Sequence, residues 1–271
     1  MSKPIRHRFA PAALLALAAP LSGCEGGTLE INGQEGVPLS ELEIAGPPPT
    51  EVVLASGDTV IITDGPNFDI KVEGGNTDTL RFVRDKEVIG VTREKGWSGN
   101  PDATVRITMP APKEVVIAGS GTIRAQSLAS TAEVSIGGSG LVEFGALAAE
   151  KLGINIGGSG TVRGSGTVKR LEVNIGGSGE VELPGLKADD AEVTIGGSGD
   201  VAFASDGEVS AMIAGAGDIN VTGTAKCTVD AFGSGNLNCK PAPASAAALP
   251  APAVPAGSAA PAAAPAASSE E

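Results

Sequence analysis

Seven periodic units between Gly119 and Gly235 carry Gly-Ser-Gly or Gly-Ala-Gly, at intervals of 19, 20, 19, 20, 18 and 18 residues. The pairs are Gly119 and Gly121, Gly138 and Gly140, Gly158 and Gly160, Gly177 and Gly179, Gly197 and Gly199, Gly215 and Gly217, and Gly233 and Gly235. Four copies extend to Ile-Gly-Gly-Ser-Gly, starting at Ile136, Ile156, Ile175 and Ile195. Two residues before the first glycine stand Ile117, Ile136, Ile156, Ile175, Ile195, Ile213 and Ala231; four before it stand Val115, Val134, Ile154, Val173, Val193, Ala211 and Val229. Alternation resumes four residues after it, at Ile123, Val142, Val162, Val181, Val201, Ile219 and Leu237. Period-two patterning on both sides of a glycine bend describes strand, corner, strand. Helix is excluded, since recurrent interior glycine costs about 0.8–1 kcal/mol per residue against alanine. One unit cannot cover its own apolar face, so the copies must stack, each strand beside its counterpart. The sequence therefore predicts an all-β, single-stranded parallel β-solenoid with coils of about 19 residues, stacked at about 4.8 Å per coil. Leu128, Leu147 and Leu186, nine residues past the glycine, are candidates for a third inward position.

At the corners, glycine is expected to supply positive φ and close backbone approach, with the serine hydroxyls satisfying turn groups. The rival reading is a calcium-binding nonapeptide, which Gly-Gly-Ser-Gly resembles. A ladder of calcium sites needs oxygen ligands in every rung, yet the residue after the last glycine runs Thr122, Leu141, Thr161, Glu180, Asp200, Asp218, Asn236. Only a weak site near Glu180, Asp200 and Asp218 survives that test, and no metal ligand is assigned.

The N-terminus carries Lys3, Arg6 and Arg8, then an apolar run from Phe9 to Leu21 that is too short to span a bilayer. This is the pattern of a secretory signal. It ends in Leu21-Ser22-Gly23-Cys24, which resembles the bacterial lipobox. That resemblance implies a signal peptide at 1–23 and a diacylglycerol anchor on Cys24, holding the protein to a membrane through several acyl chains at about 0.8 kcal/mol per buried CH₂. Glu25 in place of Asp implies sorting towards the outer membrane.

Residues 24–37 are Gly-rich and acidic and are expected to be a flexible tether. Residues 38–240 form the solenoid: less regular coils over 38–112, where alternation begins at Leu39, and the glycine repeats over 113–240. A separate small β-domain is the alternative for the first part. Trp97, the only tryptophan, falls in a loop and is expected to cap apolar surface. Cys227 and Cys239 stand six residues either side of Gly233, in slots that are apolar in most other coils. In an exported chain that symmetry favours a disulfide across the last corner; free thiols serving a metal or a redox couple are the alternative. Residues 241–271 are almost wholly Pro, Ala and Ser, a composition unable to bury enough apolar surface to order itself.

Composition removes several functions. Taking Lys3, Arg6 and Arg8 from the 19 basic residues leaves 16 against 32 acidic ones, so the mature chain repels nucleic acid and anionic lipid headgroups. The one histidine, His7, lies in the signal, and there is no tyrosine. Histidine triads and histidine bases are therefore excluded, and no catalytic residue or cofactor is assigned.

The run Val115-Val116-Ile117-Ala118-Gly119-Ser120-Gly121, the four Ile-Gly-Gly-Ser-Gly units and Ile213-Ala214-Gly215-Ala216-Gly217-Asp218-Ile219 together resemble the putative auto-transporter adhesin, head GIN domain family of exported bacterial proteins. The resemblance implies a β-solenoid adhesion surface and brings no set of catalytic residues. Three functions follow as expectations: a non-enzymatic envelope lipoprotein that binds a glycan or an envelope protein, a polysaccharide-active enzyme on a β-helix, or a structural assembly protein. Four or more carboxylates or bases converging in one groove would favour the enzyme.

Overall fold

The computed structural model describes residues 35–241. Residues 1–23, Cys24, most of the tether and nearly all of the tail lie outside the described residues. Within them, sixteen strands join one sheet that winds into a solenoid with two long faces. The pre-corner face contains β1 (Glu51–Leu54), β7 (Glu114–Ile117), β9 (Thr131–Ile136), the second parts of β10 (Leu141–Ile156), β11 (Thr161–Ile175), β12 (Glu180–Gly197) and β13 (Asp200–Gly215), and β15 (Lys226–Gly233). The post-corner face contains β2 (Thr59–Asp64), β8 (Thr122–Ala125), the first parts of β10 to β13, β14 (Asp218–Thr222) and β16 (Asn236–Lys240). Every pairing between these successive coils is parallel. The inward column Val115, Val134, Ile154, Val173, Val193 and Ala211 is in register and buried, and Leu128, Leu147 and Leu186 are buried too.

The seven corners stand in single file. Ser139 N–H donates to Gly119 O, Ser159 to Gly138 and Ser178 to Gly158, each at 3.0 Å, and Ser198 to Gly177 at 2.9 Å. A Cβ on Gly138 would lie 2.2 Å from Gly119 O, and one on Gly140 would lie 2.6 Å from Ile117 Cγ2. Close stacking thus demands the glycines in every coil. Among the corner glycines, positive φ is confined to the first glycine of the last three coils, Gly197, Gly215 and Gly233. The serine side chains Ser139, Ser159 and Ser178 face solvent, and it is their main-chain N–H groups that bind the previous coil.

Coils of unequal length stay aligned because the surplus is bulged out at the second bend. Between β10 and β11 the register jumps at Glu143/Ala146, between β11 and β12 at Arg163/Ser165, and between β12 and β13 at Leu183/Lys187. There, Gly164 lies where other coils carry Phe144 or Leu183; a Cβ on it would sit 2.1 Å from the Phe144 ring. The aromatic ring of one coil occupies the volume that the next leaves empty.

The beginning of the column departs from sequence order. Leu39–Glu41 is a short 3-10 turn, so the alternation that opens at Leu39 produces no strand; Leu39 and Leu42 pack against the core and Ile44 is exposed. β5 (Val88–Arg93) pairs parallel with β1, and β6 (Ala103–Met109) with β2, so this later coil lies outside the earlier one. Two antiparallel strands finish that end: β3 (Asp69–Gly74) on β6 and β4 (Leu80–Arg84) on β5. Val37 bridges to Phe82 beyond them.

Where the glycine file stops, a charged plug takes over. Asp58 occupies the corner of the β1/β2 coil and is fully buried; Arg93, 7% exposed, makes a bidentate pair with it, its Nε donating to Asp58 Oδ2 at 2.8 Å. Ser56 Oγ donates to Asp58 Oδ2 at 2.8 Å, and Ala103 N–H to Oδ1 at 3.1 Å. Trp97 covers the guanidinium of Arg93, 4.2 Å from ring centre to Cζ, so the indole caps a cation instead of apolar surface.

Candidate functional site

Outward residues on the pre-corner face form straight files, since each coil sets the same position over the last. Five residues before the first corner glycine the file runs Glu114, Glu133, Gly153, Glu172, Glu192, with Glu51 below Glu114. The carboxylates are stacked one strand spacing apart, about 4.8 Å, and at the start of the file this adds to the effect of burial on Glu51 and Glu114. Glu51 is pushed up to about 7 by burial first, then by Glu114 and Glu87. Glu114 is raised by burial and then by Glu133.

Gly153 interrupts this file. A Cβ there would have 3.7 Å to Glu133 Cγ and 3.9 Å to Ala132 O, ordinary contact distances, so packing does not require glycine at this point. The gap opens a hollow of about 860 Å³. An amide ladder runs along it: Asn174 Nδ2 donates to Asn155 Oδ1 at 3.0 Å, and Asn155 Nδ2 donates to Glu133 Oε1 at 2.8 Å. Lys113 and Lys151 stand at the sides, Lys151 Nζ lying 2.7 Å from Glu172 Oε2. None of the lining residues is aromatic. The hollow offers rows of donors and acceptors at a fixed spacing, suited to an extended polar ligand. Sequence reading missed it; the signal was glycine where the neighbouring units have Glu133 and Glu172.

The post-corner face has a second hollow, of about 660 Å³, where Glu180, Glu182, Asp200 and Asp218 gather beside Arg163. By count this meets the condition that would favour an enzyme. Most of the four are already engaged. Asp200 Oδ1 accepts Asp218 N–H at 2.9 Å, Asp218 Oδ1 accepts Asn236 Nδ2 at 3.1 Å, and Glu182 accepts from Arg163 Nε. Arg163 holds Glu182 below the usual carboxylate range, while burial, followed by Glu182, raises Glu180. Both carboxylates lie open to solvent. Among the described residues no group of three or more His, Cys, Asp or Glu is arranged to hold a metal ion.

Cys227 and Cys239 are joined by a disulfide, with Cα atoms 6.7 Å apart, across the end of the last coil. Cys24 lies outside the described residues.

Residues 48–225 match the profile of the family described as putative auto-transporter adhesin, head GIN domain. Among solved structures, the chain is similar to a putative adhesin from Bacteroides fragilis, with TM-score 0.64 and 18% identity over 72% of this chain and 92% of that one. A putative lipid binding protein from Parabacteroides distasonis matches with TM-score 0.58 and 20% identity, over 73% and 94%. A putative adhesin from Parabacteroides merdae gives TM-score 0.53 and 17% identity, over 71% and 92%. At such identities these structures share the fold. No curated protein matches the chain.

Proposed function

This chain belongs to the putative auto-transporter adhesin, head GIN domain family, and on that premise we propose that it is an exported, lipid-anchored binding protein of the bacterial cell envelope. Its pre-corner face would meet a glycan or another envelope protein. The observation that carries this reading is the notch at Gly153: a gap in a carboxylate file, flanked by an amide ladder, at a position where a side chain would fit without strain. Cys24 would carry the lipid, residues 24–37 would be the tether, and Glu25 would direct the protein to the outer membrane.

The mature chain, screened on a glycan array and used as bait for solubilised envelope proteins, is expected to retain a ligand. Gly153→Glu should abolish retention while keeping the far-UV circular dichroism of the folded chain, since it completes the Glu133–Glu172 file, and Gly153→Ala should keep retention. Retention by neither the unaltered chain nor Gly153→Glu, or equal retention by both, would overturn the assignment of this face. For the anchor, Cys24→Ser should move the protein from the membrane fraction to the soluble one; an unchanged distribution would sink that part.

A second reading rests on Glu180 and Glu182, two carboxylates whose environments drive their protonation apart, as an acid–base pair requires. Their hollow is open, lacks an aromatic platform and does not exclude water, which argues for the binding protein. Release of reducing ends from envelope polysaccharides, lost in Glu180→Gln, would favour the enzyme.

A further inference from the structure

The two ends of the column are finished differently. At the start, β3 and β4 run antiparallel to the coil they cover, and Val37 bridges beyond them. At the other end, β15 and β16 pair only backwards, with β13 and β14, among the described residues. In earlier coils the carbonyl two residues before the corner accepts from the next coil: Ile117 O from Gly137 N–H at 2.8 Å, Ile156 O from Gly176 N–H at 2.7 Å. Ala231 O, the counterpart in β15, has no such donor among the described residues. The apolar interior also ends there uncovered, with Val229 44% exposed, while Phe232, in register with Ala214 on the outer face, is 73% exposed.

Such an edge invites another strand, and β15 carries neither a proline nor a bulge: Lys226–Gly233 stays in register with β13 along its whole length. Residues 241–271 are poorly suited to fill the place, because Pro241, Pro243, Pro250 and Pro252 carry no N–H to donate. At the start the outermost strands run antiparallel to the coils, so that end offers no matching coil with which to fill it. A second copy of the open end can. With a two-fold axis normal to the faces, β15 lies antiparallel to β15 of the second copy while β16 meets its own counterpart. A register centred on Thr228 then sets Lys226 of each copy opposite Asp230 of the other, with all four on the outer face.

We infer that this chain forms a closed tail-to-tail dimer through β15 and β16. The inference needs neither the lipid anchor nor the binding face proposed above.

Sedimentation of the mature chain carrying Cys24→Ser tests it. The expected result is a concentration-dependent species of twice the monomer mass. Asp230→Lys, which turns both cross-copy pairs into like charges, should return it to monomer with the far-UV circular dichroism of the folded chain retained and the concentration dependence of its melting temperature lost. The exchange Lys226→Asp with Asp230→Lys should restore the dimer. A monomer at every concentration, or a dimer indifferent to Asp230→Lys, overturns the proposal. So does a chain that is monomeric when complete and dimeric when ended after Pro241, which would make the tail the occupant of the edge.

Discussion

At the level of single residues, stability hangs on atoms that are absent. Gly138→Ala places a methyl 2.2 Å from Gly119 O, a clash with backbone that must be relieved by separating two coils. Denaturant unfolding should show a loss on the order of 1–3 kcal/mol, whereas Gly153→Ala, whose methyl would meet its neighbours only at ordinary contact distances, should cost almost nothing. Asp58 and Arg93 make the opposite case, a buried pair with every oxygen used. Asp58→Ala strands a buried guanidinium and should cost about 3–5 kcal/mol; if it is neutral, the plug does not hold the corner. Glu51 gives a pH signature. Its folded pKa, about 7, lies above the ordinary carboxylate value, so between the two the native state binds more protons than the unfolded chain. Stability should therefore fall as pH rises towards and through 7. Thermal melts from mildly acidic to mildly alkaline buffer should show that decline, and Glu51→Gln should flatten it.

At the level of strands and coils, the disulfide is a local device. Closing the short loop between Cys227 and Cys239 should contribute about 3 kcal/mol on the chain-entropy estimate, but to an end whose residues are mostly exposed. Replacing both cysteines by serine should accelerate hydrogen exchange in β15 and β16 while β7 to β13 keep their protection; uniform loss would mean that the end and the middle unfold together. This division was legible in the repeat. Ile117 through Ile213 gave the inward positions, and the glycines gave the bends. What the sequence could not disclose was the order of the first coils. Val52, Ile89 and Val115 all look like inward residues of a short strand, and nothing local says that Ile89 stacks outside Val52 while Val115 stacks inside it. Strand order is decided by which edges remain to be covered, a property of the whole stack.

At the scale of the whole molecule, the files of like residues follow from parallel stacking, which turns a substitution in one unit into a break in a line. That is why Gly153 makes a notch and why Asp58 and Arg93, 35 residues apart, escaped sequence reading: their pairing belongs to no period. The bulges after Glu143, Arg163 and Leu183 have a wider effect. Because neighbouring turns of the spiral already differ by one to three residues at that bend and still mesh elsewhere, the second bend works as an expansion joint. Extra chain spliced beside Pro184–Gly185 would hang off the side of the rod without shifting the storeys above it, whereas the same insert at a glycine bend would throw every later storey out of step. Variation that leaves the scaffold intact is thereby steered onto one edge.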